Sequence, residues 1–199
     1  MKLYGSLTSP YVRKVRMLLK EKAIAHEFIM EGPTDVAGNV ARLNPMGKVP
    51  VLVRDDGEVL FESTMIVDYL DGLDEPRLIP PSAETRWQAQ RWHALGQGIA
   101  DAVVSRLMEI RRDSEHQDPA VISRQEAKVA AALAFAEGHI TDGDYLVGGQ
   151  LSIADIALAM ALGYVDLRYA HDWRVAQPRL AEWFAGFARR PAFIETAPS

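Results

Sequence analysis

A Ser-Pro pair near the start of the chain is the first candidate for chemistry. Ser9 and Pro10 have the form of a helix start, with Ser9 as the N-cap and Pro10 at the first helical position. A hydroxyl at that point lies where backbone N–H groups and the helix dipole favour an anion. A thiolate accepting a hydrogen bond from Ser9 would have its charged form stabilised and its pKa lowered. Thr8, Ser6 and Tyr4 are the rival hydroxyls in the same segment.

Two later segments combine polar groups with the end or start of an expected strand. Val49-Pro50 opens an apolar run, and its residues alone give no reason to expect a cis bond, since only about 5–6% of X–Pro bonds in folded proteins are cis. Glu62-Ser63 lies where a strand runs into a helix, so its plainest interpretation is a cap with an acidic residue near the helix N-terminus. Neither segment identifies a ligand by itself.

Composition excludes several kinds of site. The chain has no cysteine, which removes disulfides, thiolate metal sites and a protein thiol nucleophile. Its five histidines show no metal-ligand spacing, so we expect no metal. The net charge is −5 and no Lys/Arg-rich run is present, which favours small molecules or other subunits over nucleic acid or membrane as partners. The early charged residues do not fit a signal peptide, and the most apolar stretch is short, so we expect a soluble, cytoplasmic protein without a membrane span.

The first part of the chain alternates strand-like and helical patterns. The expected elements, in order, are a strand at Lys2–Tyr4, a helix from Pro10, a strand at Glu27–Met30, a short helix within Val36–Leu43, strands at Val49–Val53 and Val59–Phe61, and a helix capped by Ser63 or Thr64. A turn signal separates the last two strands and makes them a hairpin. This order predicts an α/β, thioredoxin-like domain over residues 1–75.

The second part is helical almost throughout, and we assign residues 82–199 to an all-α domain. The expected helices are a long one from about Ala83 to Arg112, one from Pro119, one over Ser152–Tyr164, and a last amphipathic helix containing Leu180 and Phe187. The helix after Ser152 is apolar nearly all round, which is typical of a helix at the centre of a bundle. Ser152 and Asp155 form a capping-box-like pair at its start, and we give them a structural role.

Four segments together identify a family. They are Thr8–Arg16, Asn44–Leu52 with its Pro-Met-Gly-Lys-Val-Pro core, Leu60–Ser63, and Leu151–Asp155. Their order and positions, in a chain of this length, resemble the glutathione transferase superfamily over essentially the whole sequence. The Ser-Pro opening without cysteine is most similar to the bacterial, serine-type members.

The resemblance implies an enzyme, a cytosolic glutathione S-transferase of the kind used in detoxification. It implies that Ser9 is catalytic and donates a hydrogen bond to the sulfur of glutathione. It places a cis proline at Pro50, which would let the backbone of Val49 pair with the glutathione peptide. It assigns Glu62 to the ammonium of the γ-glutamyl end and Ser63 to its carboxylate.

The same resemblance implies less about the rest of the site. Many relatives hold the glycine carboxylate of glutathione with a basic residue in the loop before Asn44-Pro45. The segment Glu31–Asp35 of this chain has none, so Lys48 or Arg42 is the expected substitute. Asp101 is the candidate contact from the partner subunit of a homodimer, although a solvated helix carboxylate is the alternative. Tyr164 and Trp173 either line the second substrate's pocket or belong to the core.

The expected reaction is attack of the glutathione thiolate on an electrophilic carbon, or glutathione-dependent reduction of a disulfide or peroxide. No cofactor beyond glutathione as co-substrate is implied. Two alternatives stay open: a glutathione-dependent isomerase or dehalogenase using the same thiol site, and a non-catalytic binding or regulatory protein with the same fold.

Overall fold

The structure, a computed structural model, describes residues 1–33 and 38–198. These residues form two compact units, one from the described residues of Met1–Ile79 and Arg190–Ser199, the other from Pro80–Arg189. The sequence division into residues 1–75 and 82–199 differs from this grouping at the end of the chain, because the final residues belong to the first unit.

The first unit contains a four-stranded sheet in the order β2-β1-β3-β4. Its strands are β1 (Lys2–Gly5), β2 (Glu27–Met30), β3 (Val51–Val53) and β4 (Val59–Leu60). β1 runs parallel to β2 and antiparallel to β3, and β3 runs antiparallel to β4. The expected β-α-β start and hairpin are therefore confirmed. β3 begins two residues later than predicted, since Val49 and Pro50 lie outside the ladder.

Helix α1 (Pro10–Glu21) connects the two parallel strands and buries an apolar face that includes Val12, Val15, Leu18 and Leu19. It lies so close to β1 that a Cβ placed on Gly5 would come within 2.5 Å of a Val12 methyl carbon. The contact requires glycine at the end of β1 and fixes the position at which α1 begins.

The two remaining helices of the βαβ-hairpin segment are α2 (Val40–Leu43) and α3 (Ser63–Asp71). Residues 36 and 37 of the predicted short helix lie outside the described residues. The predicted cap of α3, Ser63 or Thr64, is wrong: Glu62 is the N-cap, and its carboxylate accepts a hydrogen bond from the Thr64 amide at 3.1 Å. A glutamate can do this because its longer side chain folds back over the first turn.

The second unit is helical. It comprises α4 (Ala83–Ile110), a 3₁₀ turn (Ser114–His116), α5 (Pro119–His139), α6 (Ile153–Arg168) and α7 (Pro178–Phe187). α6 is buried nearly all round, as predicted, and α4 approaches it so closely that a Cβ on Gly96 would lie 2.5 Å from the Ala157 carbonyl oxygen. Ser152 and Asp155 form the predicted capping box.

The sequence predicted α7 as the last helix, and this is wrong. A further helix, α8 (Pro191–Glu195), belongs to the first unit and packs on α1. Arg190 joins them through both oxygens of Glu21, at 2.8 Å and 2.8 Å. A five-residue helix has too few residues to show an amphipathic pattern, which is why the sequence did not reveal it.

No helix in the described residues is both long and apolar enough to cross a membrane.

Candidate functional site

The sheet topology places the predicted first-unit residues at one edge of the sheet. Ser9 follows the carboxyl end of β1, and Val49-Pro50 precedes β3, whose first residue pairs with Tyr4 near that end. Glu62 follows β4, whose last residue pairs with Leu52 of β3. Because β3 is antiparallel to both neighbours, the end of β1, the start of β3 and the end of β4 meet at the same edge.

Ser9 is the N-cap of α1, as predicted, and its side chain is partly exposed. Its Oγ accepts a hydrogen bond from the Val12 amide at 3.3 Å. Among the described residues the Ser9 hydroxyl has no acceptor for its own proton. The cap therefore uses the oxygen as an acceptor and leaves the O–H available to a ligand at the start of the helix.

The rival hydroxyls occupy different positions from Ser9. Thr8 is exposed, while Ser6 and Tyr4 are partly exposed and precede the helix. The backbone carbonyl of Ser6 accepts a hydrogen bond from the Ser9 amide at 3.2 Å. Only Ser9 combines a side-chain hydroxyl with the N-cap position of α1.

The Val49-Pro50 peptide bond is cis, which confirms the prediction. Pro50 is buried and Val49 is partly exposed. Within residues 1–33 and 38–198, neither the amide nor the carbonyl of Val49 makes a hydrogen bond. This leaves one donor and one acceptor on the backbone beside β3, the arrangement that an extended peptide can pair with.

Glu62 and Ser63 are adjacent at the start of α3 but differ in exposure. Glu62 is exposed, and Ser63 is 1% exposed. The Ser63 hydroxyl donates to Oε2 of Glu62 at 3.4 Å, and Oε1 of Glu62 accepts from Thr64. Glu62 is therefore the helix cap, and Ser63 is hydrogen-bonded to it. The exposed carboxylate of Glu62 lies next to the positive end of the helix.

Lys48 and Arg42, the two candidates for a carboxylate contact, have different neighbours. Lys48 is exposed, and its ammonium has no ion pair within the ranges that the structure describes. Arg42 donates to the side-chain oxygen of Asn39. Glu31, at the start of the preceding loop, is buried and accepts from the Val40 amide at 2.5 Å, so it fixes the start of α2.

Asp101 lies on α4 in the second unit and is exposed. Its carboxylate accepts from the Gln97 side chain at 3.5 Å. On the same helix, Ile99 is 1% exposed and belongs to the core, whereas Leu95 is partly exposed.

Tyr164 and Trp173, which could line a pocket or belong to the core, are part of the buried core. Tyr164 is 4% and Trp173 3% exposed, and the Trp173 indole N–H donates to Asp166 at 2.8 Å. Within the described part of the chain, no group of three or more His, Cys, Asp or Glu side chains could hold a metal ion.

Two residues near Ser9 were missed by the sequence analysis. Arg13 is 4% exposed, and burial, with a smaller contribution from the Arg16 charge, lowers the pKa of its guanidinium to about 10. Burial also lowers the pKa of Arg16. The available signal was their spacing: Ser9, Arg13 and Arg16 follow each other at helical intervals, although charged residues at that spacing usually mark a solvated face.

Two family matches cover most of the chain. Residues 3–78 match the family described as glutathione S-transferase, N-terminal domain. Residues 119–186 match glutathione S-transferase, C-terminal domain.

Similar proteins extend the match to full length. The GST-like protein YibF of Escherichia coli (strain K12) is 38% identical over 200 residues, covering 100% of this chain and 98% of that protein. Glutathione S-transferase 3 of Zea mays is 30% identical over 213 residues, covering 98% and 92%.

Solved structures of glutathione transferases have the same fold as this chain. A glutathione S-transferase from Methylobacillus flagellatus KT with glutathione bound has a TM-score of 0.96 at 40% identity and covers 100% of this chain and 99% of that one. A glutathione transferase family member from Pseudomonas fluorescens Pf-5, also with bound glutathione, has a TM-score of 0.91 at 35% identity, covering 100% and 98%. Full-length similarity in sequence and fold, together with the matches at both ends, shows that this chain belongs to the glutathione S-transferase superfamily.

Proposed function

We propose that this protein is a glutathione transferase that binds glutathione at the edge of the first unit's sheet and activates its thiol with Ser9. The observation that carries the proposal is the Ser9 O–H at the N-terminus of α1, which has no acceptor among the described residues. Glutathione bound in similar structures supports the choice of ligand.

Ser9 would activate glutathione by lowering the pKa of its bound thiol. A thiol like that of cysteine has a pKa near ~8.5, so only a few per cent is thiolate at neutral pH. Lowering the pKa by about two units requires ~2.7 kcal/mol of preferential stabilisation of the anion. A hydrogen bond from Ser9 to the charged sulfur supplies about 1.5–3 kcal/mol, and the N-terminus of α1 adds ~0.3–1 kcal/mol.

The peptide of glutathione has matching partners along the same edge. The amide and carbonyl of Val49, before cis-Pro50, make no hydrogen bond to the described residues, and they pair with the backbone of glutathione as an added strand would. Exposed Glu62 takes the γ-glutamyl ammonium. Ser63 takes the γ-glutamyl carboxylate by exchanging its hydroxyl from Glu62 to the ligand at the start of α3.

Lys48 provides the charge for the glycine carboxylate. Its exposed ammonium precedes Val49 directly, and carboxylate binding would give it the ion pair that it lacks among the described residues.

The bound thiolate then attacks an electrophilic carbon. A sulfur–carbon bond forms, the leaving group departs with its electron pair, and the thiol proton has already passed to solvent. The same thiolate can attack a disulfide, where a mixed disulfide forms and the other sulfur leaves as a thiolate. On a peroxide it takes one oxygen as the O–O bond breaks, and hydroxide or an alkoxide leaves. Asp101 completes the glutathione site from the partner subunit of a homodimer. The protein needs no cofactor besides glutathione as co-substrate.

The test is Ser9→Ala, compared with Thr8→Ala and Ser6→Ala as controls in the same segment. Ser9→Ala should leave glutathione binding nearly intact, raise the pKa of the bound thiol by one to two units (about 1.5–3 kcal/mol) and lower turnover at neutral pH. Thiolate absorbance of the bound complex, titrated against pH, measures the shift directly. If a control shifts the titration and Ser9→Ala does not, the activating hydroxyl is a different one; if none of the three shifts it, the serine mechanism is wrong.

A further inference from the structure

Ser9 heads a stripe of charged side chains along α1. Arg13, Arg16 and Lys20 follow it at intervals of four, three and four residues, so all four lie on one face of the helix. That face packs against α8. The Arg13 guanidinium donates to the Phe193 carbonyl at 3.0 Å and lies 4.0 Å from the centre of the Phe193 ring.

The charges on this stripe are compensated at its far end and not near Ser9. Lys20 is half exposed and pairs with Glu195 at 2.6 Å. Arg16 donates to the Glu195 carbonyl at 3.5 Å and lies over the Phe28 ring of β2. Neither Arg13 nor Arg16 has an ion pair with a carboxylate anywhere in residues 1–33 and 38–198.

Three carboxylates on the elements packed here are already paired with other cations. Glu21 binds Arg190 at the start of α8, Glu195 binds Lys20, and Glu27 of β2 binds Lys2 at 3.5 Å. On the face that packs against α8, the charges without a carboxylate partner among the described residues are therefore those of the two guanidiniums. The last carbonyls of α8 compensate these charges only in part, as the negative end of a short helix.

This arrangement costs free energy. Burial disfavours the charged form of Arg13. The Nε of Arg13 and one terminal nitrogen of Arg16 are buried and have no hydrogen-bond partner in the part of the chain that the structure describes. A methionine or leucine would pack against Phe193 without that cost. A buried charge that is only partly compensated, one helical turn from a proposed anion site, is a candidate for a functional role.

We propose that Arg13 is a positioning residue for thiol activation: its guanidinium, held by α8 on the Ser9 face of α1, supplies a buried positive charge that stabilises the glutathione thiolate. The inference rests on the proposed function of Ser9. Arg13 lies one turn beyond Ser9, a rise of about 6 Å, and helix side chains lean towards the N-terminus. Because it is buried, its field is screened little by salt.

The experiment compares Arg13→Met with Arg13→Lys and with Lys20→Met. Arg13→Met removes the charge and keeps much of the volume, whereas Arg13→Lys keeps the charge and loses the planar contacts. Lys20→Met is the matched control, because it removes a charge and a contact with α8 on the same stripe but at an exposed position. The measurement is the pKa of the thiol of bound glutathione, by thiolate absorbance at low and high salt.

The expected results separate charge from packing. Arg13→Met raises the pKa of the bound thiol by about one unit, a roughly tenfold loss of thiolate at neutral pH, with a similar shift at both salt concentrations. Arg13→Lys and Lys20→Met stay close to the parent protein. The KM for glutathione changes little in all three, since none of these side chains contacts the peptide.

Several outcomes overturn the inference. One is an unchanged pKa in Arg13→Met; another is an equal shift in all three variants, which would mean that only α8 docking matters. If Arg13→Met does not fold, Arg16→Gln replaces it and should give a smaller shift in the same direction, and no shift there also overturns the inference. A shift in Ser9→Ala without one in Arg13→Met leaves the proposed function intact, whereas a parent protein whose bound thiol titrates like free glutathione removes that function instead.

Discussion

At the scale of single residues, Glu62 has two roles that can be separated. Its carboxylate caps α3 and, in the proposed function, also binds an ammonium. Glu62→Ala removes both, whereas Glu62→Asn keeps a good capping acceptor without the charge.

We therefore expect both variants to raise the KM for glutathione by one to two decades, because a charged hydrogen bond is worth about 1.5–3 kcal/mol. Only Glu62→Ala should also lower the free energy of unfolding, by about 0.5–2 kcal/mol, through loss of the cap. Steady-state kinetics and urea unfolding of the two proteins measure these effects. Normal glutathione binding in a folded Glu62→Asn protein would show that the residue is only a cap.

Residue types near the site were predictable to different degrees. Ser9 could be found because Ser followed by Pro is a strong local helix-start signal, and cis-Pro50 because of the family resemblance. Glu62 as the cap of α3 was missed, since glutamate is uncommon at that position and the neighbouring hydroxyls fit the rule better. The environment of Arg13 could not be predicted, because its partner Phe193 lies 180 residues away in sequence.

At the scale of elements, the start of α6 gives a pH-dependent prediction. The Asp155 carboxylate is fully buried and accepts hydrogen bonds from the Leu146 amide and from the amide and hydroxyl of Ser152, at 2.8–2.9 Å. Burial is the largest influence on its pKa and raises it, while those hydrogen bonds act in the opposite direction.

A raised pKa means that the folded protein binds the proton more tightly than the unfolded chain does. The contribution of Asp155 is then complete below its ordinary pKa and declines as the pH rises through the higher folded value. Asp155→Asn cannot lose a proton, and its NH2 group cannot accept from these donors, whereas both oxygens of the protonated acid can. The variant should therefore be less stable by about 1–3 kcal/mol. Its deficit should be largest in acid and shrink towards neutral pH. Urea unfolding across the pH range measures this, and a deficit that grows with pH would contradict it.

Elements with long or strongly capped patterns were predicted well, and short ones were not. α5 begins at Pro119 and α1 at Pro10, where proline and a preceding cap mark the first turn. β3 and β4 are shorter than expected, because alternating residues do not show where the hydrogen-bonded ladder stops. α8 begins with a proline, Pro191, but no capping side chain precedes it and five residues are too few to show a helical pattern. It forms where Arg13, Arg16 and Lys20 give it partners.

At the scale of the whole molecule, the sequence could not show that the chain returns to its first unit. A composition change near Pro80 marks one boundary, but nothing local at Arg190 marks the second. That return places α8 against α1, the helix that Ser9 caps. The first unit is therefore built from both ends of the chain.

The last prediction concerns association. The second unit exposes a cluster of aromatic side chains on α4 and α5, with Trp87 49% and Phe135 37% exposed. Arg91 lies over both rings, 5.3 Å from one and 5.8 Å from the other, and so covers them only in part. Exposed aromatic residues with arginine are typical of the centre of a protein interface. We propose that this cluster contributes to the homodimer interface.

Trp87→Glu should weaken the dimer at least tenfold, about 1.4 kcal/mol or more, because it places a charge where an aromatic anchor is buried on association. Val175→Glu is the matched control, since Val175 is 87% exposed in the same unit and outside the cluster. Sedimentation velocity at micromolar concentration measures the association of both variants. Separately, Asp101→Ala should raise the KM for glutathione only if the partner subunit completes the site. A parent protein that sediments as a monomer at these concentrations contradicts the dimer, and equal weakening by Val175→Glu contradicts this interface.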